Sequence, residues 1–390
     1  MKYKEIGLEL QEPLSFWKAF EGQERVYWKD QQHNRLIIAA GRLKKVSQEE
    51  SHQYPYCWYS RTFFSPEEGQ PIQKVKSAWQ TMGNELVAFA HYYICDEKGA
   101  RYLHAETVPA KSVSDQEVVL KKIAYTWTEE DKEDWDYLFE GIHKNIENGS
   151  IKKAVASRQI CLHLQETVDS ASIIKRLNQQ NQECFIFAYE KDKQVFLGAS
   201  PEILVQKQGS TVLSYALAGT IRKEVGKEEV CGQQLLHDTK NIHEHSLVVN
   251  MIKQIMSRMG RTVMVGPMHL MELRNLFHLR SLLTVEDERH SIFDWIQCLH
   301  PTPAMGGLPQ KKAMDVIRQY ERHDRGLYAS PLGFIDAKGD GLIVVGIRSA
   351  LLTNKAMYAY AGCGIVDGSI CQEEYEETRT KFKTILDALQ

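Results

Sequence analysis

The stretch from residue 184 to residue 199, CFIFAYEKDKQVFLGA, consists of two apolar runs separated by four charged residues. Runs rich in aromatic and β-branched side chains with a short polar break between them are typical of a β-hairpin. Its strands are predicted at 184–189 and 194–199, with the turn at 190–193. Since hairpin strands run antiparallel, this segment favours a largely antiparallel sheet.

The segments on either side of this hairpin alternate between strands and helices. A strand is predicted at 154–162, directly after a helix at 129–148 whose apolar residues recur at helical spacing. A long helix is predicted over 235–259, strands over 341–352 and 356–361, and a terminal helix from about residue 373. In the N-terminal part, strands are predicted at 35–40 and 86–95, and turns at 47–53 and 65–70. The pattern favours an α+β or mixed α/β fold.

Composition excludes several classes of protein. The chain has 390 residues, 43% of them hydrophobic, and a net charge of -3, so it lacks the basic excess expected of a nucleic-acid-binding protein. It contains neither a signal-peptide pattern nor an apolar run of about 18 residues, so we expect a cytoplasmic protein without a membrane partner. Its eight cysteines form no C-x-x-C pair and are expected to be free thiols. The length leaves the number of domains open.

Three carboxylates could hold a hard metal ion. Glu244 lies near the start of the long predicted helix, and Glu374 and Glu377 lie one turn apart at the start of the terminal helix. Mg²⁺ needs few protein carboxylates when an anionic substrate and water complete its coordination. Solvated glutamates at helix N-termini would give the same pattern. His243 and His245 point to different faces of a helix, so zinc is not expected.

Two further residues could exchange protons with a substrate. Glu202 lies between an apolar strand and a Ser-Pro turn, where burial would raise its pKa and suit it to act as an acid. Lys153 opens the 154–162 strand, and an inward lysine near a cation could act as a base. An exposed turn carboxylate and a soluble strand end are the alternatives.

A third group of residues could bind a carboxylate. It consists of Arg348, Tyr328 and the glycines Gly362 and Gly364. Arginine binds carboxylates through two parallel hydrogen bonds, and glycine lets backbone N–H groups approach an anion. Gly362 and Gly364 do not form a dinucleotide-binding motif, because no full G-x-G-x-x-G follows and no helix opens there.

Taken in order, these segments resemble the chorismate-utilising enzymes, which include isochorismate synthases, salicylate synthases, anthranilate synthase large subunits and aminodeoxychorismate synthases. The resemblance covers about residues 125–390. It rests on the motifs KAVASR (153–158), ASPE (199–202), ALAGT (216–220), HEH (243–245), FHL (277–279), HPTPA (300–304), GIRS (346–349), AGCGIV (361–366) and ExxET (374–378). It implies a large two-layered antiparallel β-sandwich flanked by helices, built as one domain over 1–390, with a divergent N-terminal portion at 1–124 and a catalytic region at 125–390.

The resemblance also implies a role for each candidate residue. Lys153 matches the base that activates water, and Glu202 matches the acid that protonates the departing C4 hydroxyl of chorismate. His278 matches a histidine beside the ring near C4. Glu244 and Glu377 match the Mg²⁺ ligands, with Glu374 as a nearby or water-mediated partner. The substrate-binding positions are Arg348, Tyr328 and Gly364 around the enolpyruvyl carboxylate, and Gly219, Thr220 and Gly362 elsewhere on the substrate.

Three positions favour the isochorismate synthase branch. Lys153 stands where anthranilate synthases usually have glutamine, Ala218 stands where aminodeoxychorismate synthases have a nucleophilic lysine, and the loop 300–307, HPTPAMGG, is typical of isochorismate and salicylate enzymes. The predicted function is Mg²⁺-dependent conversion of chorismate to isochorismate, by a monomer or homodimer without a glutaminase subunit, for menaquinone. Siderophore synthesis, salicylate synthesis and non-catalytic binding of a small anion are the alternatives.

Overall fold

A computed structural model describes residues 1–64, 77–127, 132–260 and 262–390. Its α-helices are α1 Leu14–Ala19, α2 Lys132–Glu147, α3 Ser170–Gln180, α4 Glu228–His237, α5 Thr239–Met259, α6 Ile292–Leu299, α7 Gln310–Tyr320 and α8 Cys371–Asp387. Its strands are β1 Tyr3–Gly7, β2 Arg25–Asp30, β3 Arg35–Lys45, β4 Tyr56–Ser60, β5 Glu85–Asp96, β6 Gly99–Ala105, β7 Tyr125–Thr126, β8 Lys153–Leu164, β9 Phe185–Lys191, β10 Gln194–Ser200, β11 Ile203–Gln208, β12 Thr211–Arg222, β13 Met264–Val265, β14 His269–Glu272, β15 Leu276–Glu286, β16 Gly307–Leu308, β17 Pro331–Asp336, β18 Gly341–Val345, β19 Ser349–Leu352 and β20 Ala356–Val366.

These strands pair antiparallel and form two layers. The first layer runs β1, β6, β5, β3, β2, β9, β10, β19, β20, β8. The second runs β4, β17, β18, β11, β12, β15. Strand β5 joins them, since residues 91–96 pair with β6 and residues 85–88 pair with β4. The predicted two-layered antiparallel fold is confirmed.

Large aromatic side chains fill the space between the layers. Trp28 on β2 contacts Trp58 on β4 and Phe334 on β17, with ring centroids 5.9 and 6.4 Å apart. Each large apolar side chain removed from water contributes about 1.5–3 kcal/mol, so this aromatic cluster holds the layers together. Helices cover the outer face of the first layer, where Phe16 of α1, Ile174 of α3 and Phe382 of α8 belong to a second apolar core.

Several sequence predictions agree with these elements. The hairpin at 184–199 forms β9 and β10, which pair in register from Phe185 opposite Ser200 to Lys191 opposite Gln194. The strand at 154–162 and the terminal helix lie close to the predicted places. The helix predicted from residue 129 is described from Lys132 onward, and the turn predicted at 65–70 lies outside the described residues.

Two predicted elements are interrupted in the structure, and the strands predicted at 356–361 and 35–40 extend five residues further, to Val366 and Lys45. The helix predicted over 235–259 is two helices, because the chain leaves helical geometry at Asp238, whose side chain accepts a hydrogen bond from the Asn241 amide at 2.8 Å and caps α5. The strand predicted over 341–352 is interrupted at residues 346–348, where Arg348 has a φ of 53°. A non-glycine residue with positive φ cannot continue a β-strand. No helix in the described ranges is long and apolar enough to cross a membrane.

Candidate active site

A cavity opens where the ends of β8, β12, β15 and β20 meet the helices α5 and α8. About 580 Å³ of empty space lies within and in front of it, open solvent included. The residues predicted from the sequence that line it are Lys153, Glu202, Gly219, Thr220, Glu244, His278, Tyr328, Arg348, Gly362, Gly364 and Glu377. The structure therefore brings eleven of the twelve candidates together. Glu374 is not part of the lining and lies buried beside it.

Lys153 and Glu244 form an ion pair on one side of this cavity. Lys153 Nζ donates to Glu244 Oε1 at 2.7 Å, and the lysine is only 1% exposed. Burial raises the pKa of Glu244, but the charge and hydrogen bond of Lys153, together with the charges of Lys381 and Lys240, outweigh burial, so the pKa lies below its ordinary value. A Cβ atom on Gly364 would lie 2.4 Å from Glu244 Oε1 and 2.7 Å from Lys153 Cε. Glycine is therefore required there for the pair to form.

Glu202 lies in the short connection between β10 and β11 and is 1% exposed. Neither of its carboxyl oxygens has a hydrogen-bond partner. Loss of water raises the pKa of Glu202 to about 8, although the positive charges of Lys153, Lys381 and Arg348 act in the opposite direction. At pH 7 most of this carboxyl group is protonated. An exposed turn carboxylate, the alternative from sequence, does not describe Glu202.

His278 and Arg348 form a hydrogen-bonded pair on the cavity wall. Arg348 Nη2 donates to His278 Nε2 at 2.6 Å. Because arginine only donates, the histidine proton resides on Nδ1, which lies 3.2 Å from the Gly219 carbonyl and 3.0 Å from Thr220 Oγ1. Burial and the charge of Arg348 place the pKa of His278 well below its ordinary value, so the ring is neutral.

Tyr328, Gly362 and Lys381 lie close together in the cavity lining. Tyr328 stacks on the buried Tyr360 with ring centroids 5.2 Å apart. A Cβ on Gly362 would lie 3.0 Å from Tyr328 Oη and 2.7 Å from the Ala156 carbonyl, so glycine allows the two strands and the tyrosine to approach closely. Lys381 Nζ donates to the Gly362 carbonyl at 2.7 Å and brings a further positive charge into the cavity.

The three candidate metal ligands each pair with a lysine through Oε1. Besides Lys153 with Glu244, Lys381 Nζ lies 2.6 Å from Glu377 and Lys240 Nζ lies 2.9 Å from Glu374. Burial, with a smaller contribution from the neighbouring charge of Glu377, raises the pKa of Glu374. In the part of the chain described, no three His, Cys, Asp or Glu side chains form a ready-made metal cluster.

The donor chemistry of this carboxylate group fits Mg²⁺ nevertheless. Glu244 and Glu377 line the cavity, and Glu374 lies behind them, so all donors are hard carboxylate oxygens in a region that already attracts cations. Mg²⁺ usually binds one or two protein carboxylates and keeps several other positions for water and substrate oxygens. Two or three protein carboxylates agree better with a Mg²⁺ site, whose other positions are filled by water and substrate, than with a structural metal site whose ligands all come from the protein.

Sequence reasoning did not assign a site role to Lys381, Glu321 or Arg325. Lys381 lies four residues after Glu377 on α8, and its position on the same helix face was the available signal. Arg325 donates to the carbonyls of two cavity residues, Val155 and Met305, at 2.7 and 3.0 Å. Nothing local in the sequence announces that contact, since it joins segments 20 and 170 residues apart.

Comparisons with known proteins agree with this architecture. Residues 67–390 match the family described as chorismate binding enzyme. The chain is 31% identical to isochorismate synthase MenF of Bacillus subtilis (strain 168), with 98% of this chain and 92% of that protein covered. It is 37% identical to the vibriobactin-specific isochorismate synthase of Vibrio cholerae, over 62% of each chain.

Solved structures show the same fold. MenF, the menaquinone-specific isochorismate synthase from Escherichia coli, superposes with a TM-score of 0.86 at 24% identity, covering 100% of this chain and 94% of that one. Anthranilate synthase component I from Streptococcus pneumoniae superposes with a TM-score of 0.73 at 18% identity, covering 99% and 92%. Given the family match over most of its length and the similarity to MenF of Bacillus subtilis, the chain belongs to the chorismate-binding enzymes.

Proposed function

We propose that this chain is an isochorismate synthase, which transfers the hydroxyl group of chorismate from C4 to C2 with water as the nucleophile. The observation that carries the proposal is the placement of a buried lysine, Lys153, and a buried, protonated carboxyl group, Glu202, on one cavity. Ala218 lines the same cavity, so its position offers no amine nucleophile. A base and an acid in one pocket suit a displacement in which one water attacks as it loses a proton and the C4 hydroxyl, once protonated, leaves as water.

Glu202 supplies the proton for the leaving group in this proposal. With a pKa of about 8 the carboxyl group is neutral at pH 7, and neither oxygen is engaged by the protein, so its proton is available to the C4 oxygen. A carboxylate exposed to water would be ionised at this pH and could not donate. The C4 hydroxyl then departs as water while the double bonds of the ring shift.

Lys153 receives the proton of the attacking water at C2. It acts as a base in the neutral amine form, which keeps two N–H groups, so its hydrogen bond to Glu244 at 2.7 Å can persist while the nitrogen lone pair takes the proton of the water. The end of its side chain packs against Gly364, where an added Cβ would lie 2.7 Å from Cε and 3.1 Å from Nζ, so this glycine makes room for the amine in its present position. Holding water and ring in a fixed geometry is worth several kcal/mol of the barrier.

The remaining cavity groups orient chorismate. Arg348, with Tyr328 and the backbone beside Gly364, would hold the enolpyruvyl carboxylate, and Gly219, Thr220 and Gly362 would border the substrate. The neutral ring of His278 would lie against the substrate ring near C4. Mg²⁺ bound by Glu244 and Glu377, with Glu374 as a nearby or water-mediated partner, would supply positive charge for the ring carboxylate.

The test is incubation of the purified chain with chorismate and Mg²⁺, followed by separation of the products. Isochorismate as the main product supports the proposal. Fluorescent salicylate would identify a salicylate synthase, and no turnover together with chorismate binding would identify a non-catalytic protein. Added ammonia should give neither anthranilate nor aminodeoxychorismate in useful amounts, since Ala218 stands where aminodeoxychorismate synthases have a nucleophilic lysine. Amine products formed as fast as isochorismate would refute water as the nucleophile.

We assign the product to menaquinone synthesis rather than to a siderophore. The similarity to MenF of Bacillus subtilis spans 92% of that protein, whereas the similarity to the vibriobactin-specific enzyme spans 62%. Complementation of a menaquinone-deficient strain and of a siderophore-deficient strain distinguishes the two pathways. Restoration of siderophore synthesis alone would refute the assignment.

The proposal includes the other expectations for the protein. The chain is expected to form one domain over 1–390, in which the N-terminal portion 1–124 contributes β1 to β6 and 125–390 completes the sandwich. Chorismate is the expected small-molecule substrate. We expect a cytoplasmic monomer or homodimer without a glutaminase subunit and without a nucleic-acid or membrane partner. Strand pairing of β2 with β9 and of β4 with β17 supports the single domain. The others remain predictions.

A further inference from the structure

Arg325 is a fully buried arginine in the loop between α7 and β17, where its side chain is 0% exposed. Its guanidinium group donates to both oxygens of Glu321, from Nε to Oε1 and from Nη2 to Oε2, each at 2.7 Å. Such a bidentate pair fixes the plane of the guanidinium group and offsets its charge. Two guanidinium nitrogens then point toward neighbouring backbone.

Those nitrogens bind two segments that line the cavity. Arg325 Nη2 donates to the Val155 carbonyl at 2.7 Å, and Nη1 donates to the Met305 carbonyl at 3.0 Å. Val155 follows Lys153 by two residues on β8, and Met305 belongs to the 300–307 loop. The backbone carbonyl of Arg325 also accepts a hydrogen bond from the amide of Tyr328 at 2.7 Å. Three cavity residues from separate segments are thus tied to one arginine.

Glu321 adds a further connection to the same strand. Its Oε2 accepts hydrogen bonds from the Ser157 amide at 3.2 Å and from Ser157 Oγ at 2.9 Å. The ion pair therefore binds β8 at Val155 and again at Ser157, on the segment that carries Lys153. The Val155 amide in turn donates to the Gly306 carbonyl at 2.8 Å, which joins β8 to the 300–307 loop.

We propose that Arg325, oriented by Glu321, is a positioning residue that sets the location of the Lys153 amine relative to the substrate. This inference rests on the proposed function, since it assigns Lys153 the chemical step. Arginine suits the task because its planar fork reaches a carboxylate and two carbonyls at once, whereas a lysine ammonium is a single point with a flexible stem. A shift of about 1 Å in a reacting group can cost roughly 100-fold in rate.

A buried ion pair that only stabilises the fold would give a different result, and the chain contains a matched control. Arg25 is 4% exposed and donates to Glu190 Oε2 from Nε at 2.8 Å and from Nη2 at 2.6 Å. It also donates to the Trp17 carbonyl. Neither Arg25 nor Glu190 lines the cavity. Arg25→Lys therefore measures how far Tm and kcat change when a buried arginine–glutamate pair outside the cavity is altered.

The experiment compares Arg325→Lys with Arg25→Lys by thermal unfolding, by calorimetric titration with chorismate and by steady-state turnover. For Arg325→Lys we expect kcat to fall at least tenfold while Kd for chorismate changes less than threefold, because the Tyr328 contact uses backbone and is retained. For Arg25→Lys we expect a comparable loss of Tm and a kcat within twofold of the parent. A folded Arg325→Lys with kcat within threefold of the parent, or equal losses of kcat in both variants, would overturn the proposal.

A second variant, Ser157→Ala, tests the positioning role of Arg325 if Arg325→Lys does not fold. Ser157→Ala removes only the hydroxyl bond to Glu321 and its contact with His323, so we expect a folded protein with kcat lowered threefold or more. An unchanged kcat in folded Ser157→Ala would then refute the positioning role. The parent protein serves as the separate test of function: a parent that binds chorismate without converting it contradicts the proposed activity, whereas an active parent with unaffected variants contradicts only the positioning role.

Discussion

Replacing Glu202 with glutamine should make the protein less active and, above pH 5, more stable. The amide has nearly the same shape as the carboxyl group but cannot release a proton. If Glu202 is the general acid, the loss of kcat should be about 100- to 10,000-fold, the usual contribution of such a group. Chorismate binding should persist, because Glu202 is not expected to bind a substrate carboxylate.

The stability effect follows from the raised pKa. The carboxyl group has a pKa of about 8 in the folded protein and an ordinary value of 4.5, so between these pH values the folded state holds a proton that the unfolded state has lost. The free energy of unfolding therefore decreases as pH rises from about 4.5 to about 8. At pH 7 this penalty is about 3 kcal/mol, from roughly 1.4 kcal/mol per pH unit. Glutamine does not ionise and avoids it.

The assay is a series of thermal unfolding curves for parent and Glu202→Gln from pH 5 to pH 8, with kcat measured in parallel. The Tm advantage of the variant should grow with pH, and the parent's activity should fall as pH rises through about 8. Glu229→Gln, which changes an exposed glutamate on α4, is the control and should shift Tm equally at every pH. A Tm difference that stays constant with pH would refute the buried-acid reasoning, and a kcat within threefold of the parent would refute the catalytic role.

Three further predictions concern other residues of the cavity. Gly364→Ala places a methyl group 2.4 Å from Glu244 Oε1, so kcat should fall tenfold or more with a stability loss of about 1–3 kcal/mol, whereas Gly83→Ala, at a site with open space, should change neither. Lys153→Ala should lose at least about 100-fold in kcat and still bind chorismate by calorimetry; turnover within a few-fold of the parent would remove it as the base. Glu377→Ala should abolish turnover, as should excess chelator, with activity restored by Mg²⁺; full activity in chelator would exclude the metal.

Local patterns in the sequence predicted the elements that depend on local physics. The hairpin at 184–199 and the terminal helix follow from side-chain periodicity, which is set by residues a few positions apart. The break at Asp238 was missed because apolar residues occur in both α4 and α5, and only one residue between them is not helical. At that residue the hydrogen bond from the Asn241 amide to the Asp238 side chain ends one helix and starts the next. The interruption before β19 depends on Arg348 adopting a positive φ, which its residue type does not favour.

The sequence predicted which residues line the cavity but not how they contact one another. Resemblance to a family suggested which residues meet, and eleven of the twelve line one cavity. The pairing of Lys153 with Glu244, 91 residues apart, and the unpartnered carboxyl group of Glu202 depend on how distant strands pack. No short-range rule determines such contacts. The proposed positioning by Arg325 was missed for the same reason, since its contact with Val155 joins residues 170 positions apart.

The order in which the strands pair has a consequence for synthesis on the ribosome. Strand β4, at 56–60, pairs with β17, at 331–336, so its partner emerges about 270 residues later. At translation speeds of about 5–20 residues per second, the wait is roughly 15 to 55 s. During that time the edge of β4 lacks its neighbour β17, and the indole of Trp58 lacks the ring of Phe334, which in the folded protein lies 5.3 Å away. The nascent N-terminal third is therefore expected to expose an unpaired strand edge and a large aromatic side chain during synthesis, although in the finished protein Trp58 is among the most deeply buried side chains.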